Sequence, residues 1–114
     1  MTPQVGPLVI ALILTSGDRY FLSGKSDYLI GRLGPSGFPP DADLSEVFAF
    51  EAGVSRQHVM IHVRANGVFV EDLGSTNETV HNGYRLMPEQ WYPLRDGDEL
   101  RLGAIILNVS FGHL

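Results

Sequence analysis

The sequence has no cysteine, and none of its hydrophobic runs is long enough to cross a bilayer. Without cysteine, disulfides, thiolate metal sites and thiol catalysis are all excluded. The N-terminal apolar run from Leu8 to Leu14 is far shorter than the roughly 20 residues of a membrane-spanning helix. It also lacks the basic flank of a signal peptide. We therefore expect it to be the first strand of a cytoplasmic protein with no membrane insertion.

Basic residues are also scarce, because the chain has 8 Lys and Arg against 13 Asp and Glu, a net charge of −5. Nucleic-acid affinity comes from many cationic side chains that neutralise phosphates, so this balance excludes a general nucleic-acid binder. Lys25 is the single lysine, and the arginines are scattered from Arg19 to Arg101 without forming a run. A phosphate recognised by this chain would therefore be a single group, held by a few well-placed residues.

The length of 114 residues fits one domain whose core needs no metal or disulfide. Hydrophobic residues make up 44% and charged residues 18%, which is typical of globular rather than disordered chains. No repeat, low-complexity tract or linker marks a boundary. We therefore expect a single domain over residues 1–114.

Short apolar segments at regular intervals carry the secondary-structure signal. They are rich in β-branched, leucine and aromatic residues, and Gly, Pro, Asn and Asp separate them. The predicted strands are Leu8–Leu14, Arg19–Leu22, Tyr28–Gly31, Val59–Val63, Val68–Glu71, Glu99–Leu102 and Ile105–Phe111. Many short strands with turn signals between them indicate an all-β sandwich or barrel.

One turn signal connects two of these strands directly. Asn66-Gly67 lies between Val59–Val63 and Val68–Glu71, and such a pair supplies the positive φ angles of a two-residue hairpin turn. The two strands are therefore expected to be antiparallel neighbours. By contrast, the segment from Leu33 to Gly53 has no clear periodicity, and loops of that length are often functional.

Three clusters of hydrogen-bond donors lie where apolar runs meet loops. Loops of this composition expose backbone N–H groups, hydroxyls and amides that can form anion-binding concavities. The clusters are Gly31-Arg32, Ser55-Arg56-Gln57-His58 and Gly74-Ser75-Thr76-Asn77, and the turn signal Asn82-Gly83 follows the last one. If the fold brings these clusters together, their donors converge on one anion.

The clusters contain two cations. Arg32 offers a guanidinium fork that matches the geometry of a phosphate, and Gly31 before it permits close approach of another backbone. Ser55 and Arg56 add a hydroxyl donor and the second cation. Each residue alone has an ordinary alternative, such as an arginine paired with one of the many carboxylates or a serine in a simple loop. Only the whole set favours a phosphate site.

Catalysis and metal binding have weaker support. Ser55 and His58 are three residues apart, and residues at that spacing on an extended chain point to opposite faces. A buried histidine that bonds backbone groups and braces the loop is the favoured interpretation of His58. On a strand, His58 and His62 are about 13 Å apart, too far for one ion, while His81 and His113 stand alone. We therefore expect no enzyme, no cofactor and no metal site.

The three donor clusters and the Asn82-Gly83 turn, taken in their order along the chain, resemble the motifs of the forkhead-associated (FHA) domain family. The family pattern is Gly-Arg, then Ser-x-x-His, then a Gly-Ser-Thr-Asn loop and finally Asn-Gly, and the resemblance covers nearly the whole chain. It implies a two-sheet antiparallel β-sandwich whose loops at one end bind a phosphothreonine in a partner protein. The implied role is that of a signalling adaptor downstream of a Ser/Thr kinase.

The resemblance also implies a role for each motif residue. Contacts to the phosphate come from Arg32, Ser55, Arg56 and Thr76. The backbone of the bound peptide is contacted by Asn77. Loop architecture depends on Gly31, His58, Gly74, Asn82 and Gly83.

Two features depart from the family pattern. Glu78 stands where the family usually has glycine after the asparagine, which places a carboxylate near the implied phosphate site. The loop from Leu33 to Gly53 is longer than in compact members, although Asp41-Ala42-Asp43-Leu44 within it is similar to a segment of some bacterial members. Gly53 offers no side chain to select a charged flanking residue, so specificity is expected from the long loop or from Glu78.

Two other functions stay open at this point. A β-sandwich can associate with a protein surface, or with itself, independently of phosphate, and Val47-Phe48-Ala49-Phe50 is the candidate apolar contact. Glu78 and the acidic balance favour this alternative. A small hydrolase built on Ser55, His58 and a carboxylate is the other one, but no nucleophile elbow, P-loop or metal-ligand spacing supports it.

Overall fold

The computed structural model describes residues 7–35, 39–45 and 52–113, and these ranges contain eleven β-strands and no α-helix. The strands are β1 Leu8–Leu14, β2 Arg19–Leu22, β3 Asp27–Gly31, β4 Ala42–Asp43, β5 Val59–Arg64, β6 Gly67–Asp72, β7 Thr79–His81, β8 Tyr84–Arg85, β9 Trp91–Leu94, β10 Glu99–Leu102 and β11 Ile105–His113. All seven strands predicted from the sequence are present, and their ends lie within two residues of the predicted ones.

The strands form two sheets that enclose one hydrophobic core. The six-stranded sheet has the order β2-β1-β11-β10-β7-β8, and the five-stranded sheet has the order β4-β3-β5-β6-β9. Neighbouring strands are antiparallel except β3 and β4, which are parallel. The two-sheet β-sandwich that the resemblance implies is therefore confirmed.

Alternation of buried and outward-facing side chains creates the core. On β1, Ile10, Leu12 and Leu14 are buried, and the residues between them face outward. On β5, Val59 and Ile61 are fully buried in the same cluster. Burying such a side chain contributes roughly 1.5–3 kcal/mol, so each sheet turns its apolar face toward the other.

The hairpin between β5 and β6 is present, but its turn differs from the prediction. Arg64 pairs with Gly67, so the turn residues are Ala65 and Asn66 rather than Asn66 and Gly67. Gly67 has a φ of 142° and Asn66 has a negative φ, so the pair does not supply two positive angles. The prediction was wrong by one residue because the strand ladder continues through Gly67 and leaves the turn to the two residues before it.

The turn with two positive φ angles lies elsewhere. Asn82 and Gly83 connect β7 to β8, their φ angles are 48° and 85°, and His81 pairs with Tyr84 across them. Positive φ at both central residues is the requirement of a type I′ turn, which suits the twist of an antiparallel hairpin.

The segment between β3 and β5 is partly ordered by a short strand. β4 pairs in parallel with the end of β3, and Ala42 and Leu44 are fully buried in the core. This strand was not predicted. The apolar run Val47-Phe48-Ala49-Phe50, the candidate for phosphate-independent association, lies outside the described residues.

Candidate functional site

The ends of three strands bring the donor clusters together at one end of the sandwich. Ile30 near the end of β3 pairs with Val59 at the start of β5, and Val59 pairs with Asp72 at the end of β6. The loops that follow β3, precede β5 and follow β6 therefore leave the sheet at neighbouring positions. These three loops contain the three clusters, so residues far apart in sequence become neighbours.

A concavity of about 170 Å³ lies between these loops, and we call it the loop concavity. Its lining residues in the described part of the chain are Arg32, Gly53, Val54, Ser55, Thr76 and Asn77. The fold thus brings together all the residues implied as phosphate or peptide contacts except Arg56. One water molecule needs roughly 10–15 Å³ of such space, so the concavity has room for a group much larger than water.

Hydrogen bonds between the loops hold the lining residues in place. The Thr76 backbone N–H donates to Ser55 Oγ over 3.0 Å. Arg32 Nε donates to the carbonyl oxygen of Val54 over 2.8 Å. Both bonds join residues of different loops, so these donors are arranged before a ligand arrives.

Gly53 and Asn77 form a third link between the loops. Asn77 Nδ2 donates to the Gly53 carbonyl oxygen over 3.0 Å. Gly53 has a φ of 81°, and a Cβ at this position would come 2.5 Å from Asn77 Nδ2. Any larger residue would therefore combine an unfavourable backbone conformation with a clash against the asparagine that borders the concavity.

Arg56 lies beside the loop concavity rather than in its lining. Its exposed side chain crosses Gly34, where a Cβ would come 2.4 Å from Arg56 Cδ. A Cβ on Gly31 would lie 2.0 Å from the Arg56 carbonyl oxygen, and the Arg32 N–H donates to that same oxygen over 3.2 Å. Only glycine at position 31 allows the loop that carries Arg56 to pack on the end of β3.

His58 is completely buried and joins two loops through its ring. Nδ1 accepts the Ser55 backbone N–H over 3.0 Å, and Nε2 donates to the Glu78 carbonyl oxygen over 2.9 Å. Because one nitrogen must accept and the other must donate, the ring is neutral with its proton on Nε2. Burial lowers the pKa of His58, which agrees with a neutral ring. The ring contacts the backbone of Ser55 and not its hydroxyl, so it does not activate a nucleophile.

Asp72, the first residue of the stretch Asp72-Leu73-Gly74-Ser75-Thr76-Asn77, was given no role from the sequence, but it organises the loop after β6. Its Oδ2 accepts the N–H groups of Gly74 and Ser75 over 3.0 and 3.1 Å, and its Oδ1 accepts the hydroxyls of Ser75 and Thr79. Burial alone would raise the pKa of Asp72, but these hydrogen bonds hold it below its ordinary value. The Asp-x-Gly-Ser spacing is a signal that could have found it, because aspartate commonly caps N–H groups two residues ahead in turns.

The sequence matches the family model of the FHA domain over residues 28–103, which include all three donor clusters. The chain belongs to the FHA domain family. FHA domains are phosphothreonine-binding modules without catalytic activity, so the hydrolase alternative is excluded.

This FHA domain is similar to several known proteins. It is 42% identical to the protein FraH of Nostoc sp. over 65 residues, which are 57% of this chain and 22% of FraH. The chain thus spans about a fifth of the length of that relative. A structure solved in a study of phosphothreonine-dependent FHA domain interactions has a TM-score of 0.70 and 31% identity, and the match covers 93% of this chain and 99% of that one.

The fold is also similar to Mycobacterium tuberculosis EmbR, solved in complex with a low-affinity phosphopeptide. The TM-score is 0.74 and the identity 25%, and the match covers 93% of this chain and 25% of EmbR.

Glu78 has a conformation that explains why a glycine is usual at its position in FHA domains. Its φ is 61°, which costs a residue with a side chain roughly 1–2 kcal/mol. Its carboxylate lies 3.3 Å from Arg85 Nη1 on β8, and both side chains are exposed. The charge that departs from the family pattern is therefore partly balanced by a neighbouring cation.

Asn82 ties the β7–β8 turn of the FHA domain to β10. Its Oδ1 accepts the Glu99 N–H over 2.8 Å, and its Nδ2 donates to Asp98 over 3.0 Å. Asp98 also bonds His81 Nε2 over 2.8 Å, so His81, isolated in the sequence, has a partner in the fold. Asn82 and Gly83 do not line the loop concavity as far as the described residues show.

Two properties of the described ranges bear on other functions. No helix there has the length and apolar character needed to cross a bilayer. Those ranges also contain no group of three or more His, Asp or Glu side chains arranged to hold a metal ion.

Proposed function

We propose that this FHA domain binds a partner protein at a phosphorylated threonine, through the loop concavity. One observation carries the proposal: side chains from three separate loops, all competent to donate to an anion, line the same small depression. They are Arg32, Ser55, Thr76 and Asn77.

The proposed phosphate contacts combine charge with hydroxyl donors. A phosphothreonine carries about −1.5 to −2 charges and three acceptor oxygens. Arg32 supplies a guanidinium, and Ser55 and Thr76 supply hydroxyls. Ser55 Oγ accepts the Thr76 N–H, which leaves its own proton available for the ligand. Each charge-assisted hydrogen bond contributes about 1.5–3 kcal/mol, so binding should depend on the phosphate.

Arg56 and Asn77 have proposed roles at the rim of the concavity. Arg56 crosses Gly34 beside the site, and its long flexible side chain can bring a second cation to the phosphate. Asn77 uses one amide hydrogen on the Gly53 carbonyl. Its second hydrogen and its Oδ1 have no other bond among the described residues, so they suit the backbone of an extended peptide.

The proposed biological role is that of a signalling adaptor in the cytoplasm, with residues 1–114 acting as a single module downstream of a Ser/Thr kinase. A non-catalytic domain with a phosphate-dependent site reports the action of a kinase and releases its partner when a phosphatase removes the group. After the entropy of association is subtracted, we expect micromolar affinity, about −8 kcal/mol. The similarity to a domain studied for phosphothreonine-dependent interactions, and to EmbR solved with a phosphopeptide, supports this role.

An oriented peptide library in phosphothreonine, phosphoserine and unmodified forms tests the proposal. We expect binding to the phosphothreonine form alone. Arg32→Ala should weaken it about 10- to 100-fold, the equivalent of one charge-assisted bond. Arg95→Ala is the matched control, because Arg95 lies in the turn between β9 and β10, outside the concavity lining. Urea unfolding of each variant separates lost contacts from lost folding.

Two results would refute the proposal. Equal affinity for phosphorylated and unmodified peptides would not affect the fold assignment, but it would favour phosphate-independent association. Full affinity in a folded Arg32→Ala variant would move the phosphate site away from the loop concavity. Arg32→Lys, which keeps the charge but loses the fork, should fall between the wild type and Arg32→Ala.

A further inference from the structure

The six-stranded sheet carries outward-facing apolar side chains on three neighbouring strands. They are Val9, Ala11 and Ile13 on β1, Phe21 on β2 and Ile106 on β11. Phe21 lies directly beside Ala11 in the sheet. Phe21 is 65% exposed and Ile106 is 37% exposed. Exposed apolar side chains that adjoin one another mark interaction surfaces more often than isolated ones do.

A groove of about 480 Å³ lies on this outer face, next to Phe21. Its apolar lining comes from Val9, Ala11 and Phe21, and Arg19 is at its border. The groove is built by β1, β2 and β11, whereas the loop concavity is built by the loops around β3, β5 and β6. The two depressions share no lining residue.

The charge on this face is opposite in sign to that of the whole chain. The chain has a net charge of −5. In the six-stranded sheet, however, the charged strand residues that face outward are three arginines and one glutamate. They are Arg19, Arg85, Arg101 and Glu99. The face therefore attracts anionic groups although the protein as a whole repels them.

Two of these arginines lack a carboxylate partner. Arg85 is paired with Glu78, but Arg19 and Arg101 form no ion pair with any described residue. Both are exposed. Both arginines are neighbours of apolar residues in the sheet, since Arg19 pairs with Ile13 and Arg101 with Ile106.

The outer face of the five-stranded sheet differs, because its ionisable side chains are paired with one another. His62 lies 2.6 Å from Asp27 and 2.9 Å from Glu71, and its ring stacks on Trp91 at 3.7 Å. Arg64 pairs with Asp27 over 2.8 Å. Unpaired cations beside exposed apolar groups are thus a property of the six-stranded sheet and not of both faces.

We propose that the outer face of the six-stranded sheet is a second binding site, for an unphosphorylated partner segment that interleaves apolar and acidic residues. Its carboxylates pair with Arg19 and Arg101, and its apolar side chains cover Ile13 and Ile106 and enter the groove beside Phe21. The two arginines lie three strands apart, about 15 Å, and an extended segment rises about 3.3 Å per residue. The acidic residues should therefore be about four to five residues apart.

The same surface chemistry suits an anionic membrane less well. An anionic bilayer repels a protein with a net charge of −5, and a flat lipid surface does not fill a groove. A peptide side chain does fill one, which is why the observations favour a protein segment.

Selection of a phage-displayed library of random, unmodified peptides on the domain tests the proposal. Recovered peptides are synthesised and titrated against the wild type and three variants. The double variant Arg19→Glu, Arg101→Glu should weaken binding at least about tenfold, because it turns attraction into repulsion. Phe21→Ala should also weaken peptide binding, because it removes an aromatic side chain that lines the groove. Arg95→Glu makes the same replacement at a single position outside this face, and this control variant should bind the peptides normally.

The supporting result is a consensus of apolar residues between acidic ones, with affinity that falls as salt is added. Phosphopeptide binding should be unchanged in the double variant, which also shows that it is folded. The proposal is overturned if no peptide is enriched, if the consensus lacks acidic residues, or if the double variant binds normally. Loss of the selected peptides in Arg32→Ala would place them at the loop concavity instead. Binding to phosphatidylserine vesicles through Arg19 and Arg101, without any acidic peptide, would identify a membrane surface.

Discussion

Replacement of Asp72 measures how far the loop after β6 depends on one carboxylate. In Asp72→Ala, the N–H groups of Gly74 and Ser75 and the hydroxyl of Thr79 lose their acceptor. Each buried group left without a partner costs about 1–3 kcal/mol, and water can reach part of this loop. We therefore expect Asp72→Ala to lower the free energy of unfolding by about 3–5 kcal/mol.

Asp72→Asn separates the shape of the side chain from its charge. The amide oxygen can accept both N–H groups, and the amide nitrogen can donate to the oxygens of Ser75 and Thr79. The contacts then survive as neutral bonds of about 0.5–1.5 kcal/mol instead of charge-assisted bonds of about 1.5–3 kcal/mol. The smaller desolvation cost of an amide offsets part of the loss. We expect a decrease of about 1–2 kcal/mol.

Urea unfolding followed by circular dichroism measures both variants, and phosphopeptide titration measures the effect on the site. The pKa of Asp72 is lowered in the folded state, so its contribution is present above the ordinary value of 3.8 and is lost as the pH falls through the folded-state pKa. The difference between wild type and Asp72→Asn should therefore shrink in strong acid. If Asp72→Asn is as damaging as Asp72→Ala, or if Asp72→Ala costs less than about 1 kcal/mol, the four hydrogen bonds do not organise the loop.

Three further predictions concern the same end of the sandwich. Gly31→Ala places a Cβ 2.0 Å from the Arg56 carbonyl oxygen, so urea unfolding should show a loss of about 1–3 kcal/mol, and titration should show weaker phosphopeptide binding. Unchanged binding would contradict this. His58→Gln removes a group whose pKa is lowered by burial, so its destabilisation should be complete above the ordinary value of 6.5 and shrink as the pH falls below it. A difference that is constant from pH 8 to pH 5 would refute that origin. Glu78→Gly removes the strain of a positive φ of 61° but increases the conformational entropy of the unfolded chain. We expect the free energy of unfolding to rise by up to about 1 kcal/mol. Glu78→Gln keeps the strain and removes the charge, and it should bind phosphopeptide more tightly without any gain in stability.

Strands that alternate over four or more residues could be predicted from the sequence, and the ones that were missed lack such a pattern. β4 and β8 have two residues each and β7 has three, too few to show a period. β9 contains Pro93, which has no N–H and indicates against a strand in the middle of a sheet. β9 is at the edge of the five-stranded sheet, where a proline is tolerated.

The two Asn-Gly pairs show what local sequence leaves undetermined. Asn66-Gly67 and Asn82-Gly83 carry the same turn signal, yet only the second forms the turn with two positive φ angles. The register of the flanking strands decides between them, and register depends on which side chains the opposite sheet buries.

The donor clusters could be predicted from the sequence because loop composition indicates hydrogen-bonding groups. The final positions of their side chains depend on packing. Arg56 lies outside the concavity lining because its side chain crosses Gly34, a contact between two loops that no local pattern encodes. The role of Asp72 was missed because a carboxylate at the end of a strand is usually a solvated residue. Its importance comes from Thr79 being folded back against it.

The His58 ring has a kinetic consequence. The ring bonds the backbone of Ser55 on one side and of Glu78 on the other, so it links two of the loops that carry the proposed binding residues. We therefore expect most of the proposed donors to be in place when a ligand arrives, so that no slow rearrangement of these loops limits the encounter. We expect association rates that vary little from one peptide to the next, so that differences in affinity, and hence in the duration of each signal, reside in the dissociation rate.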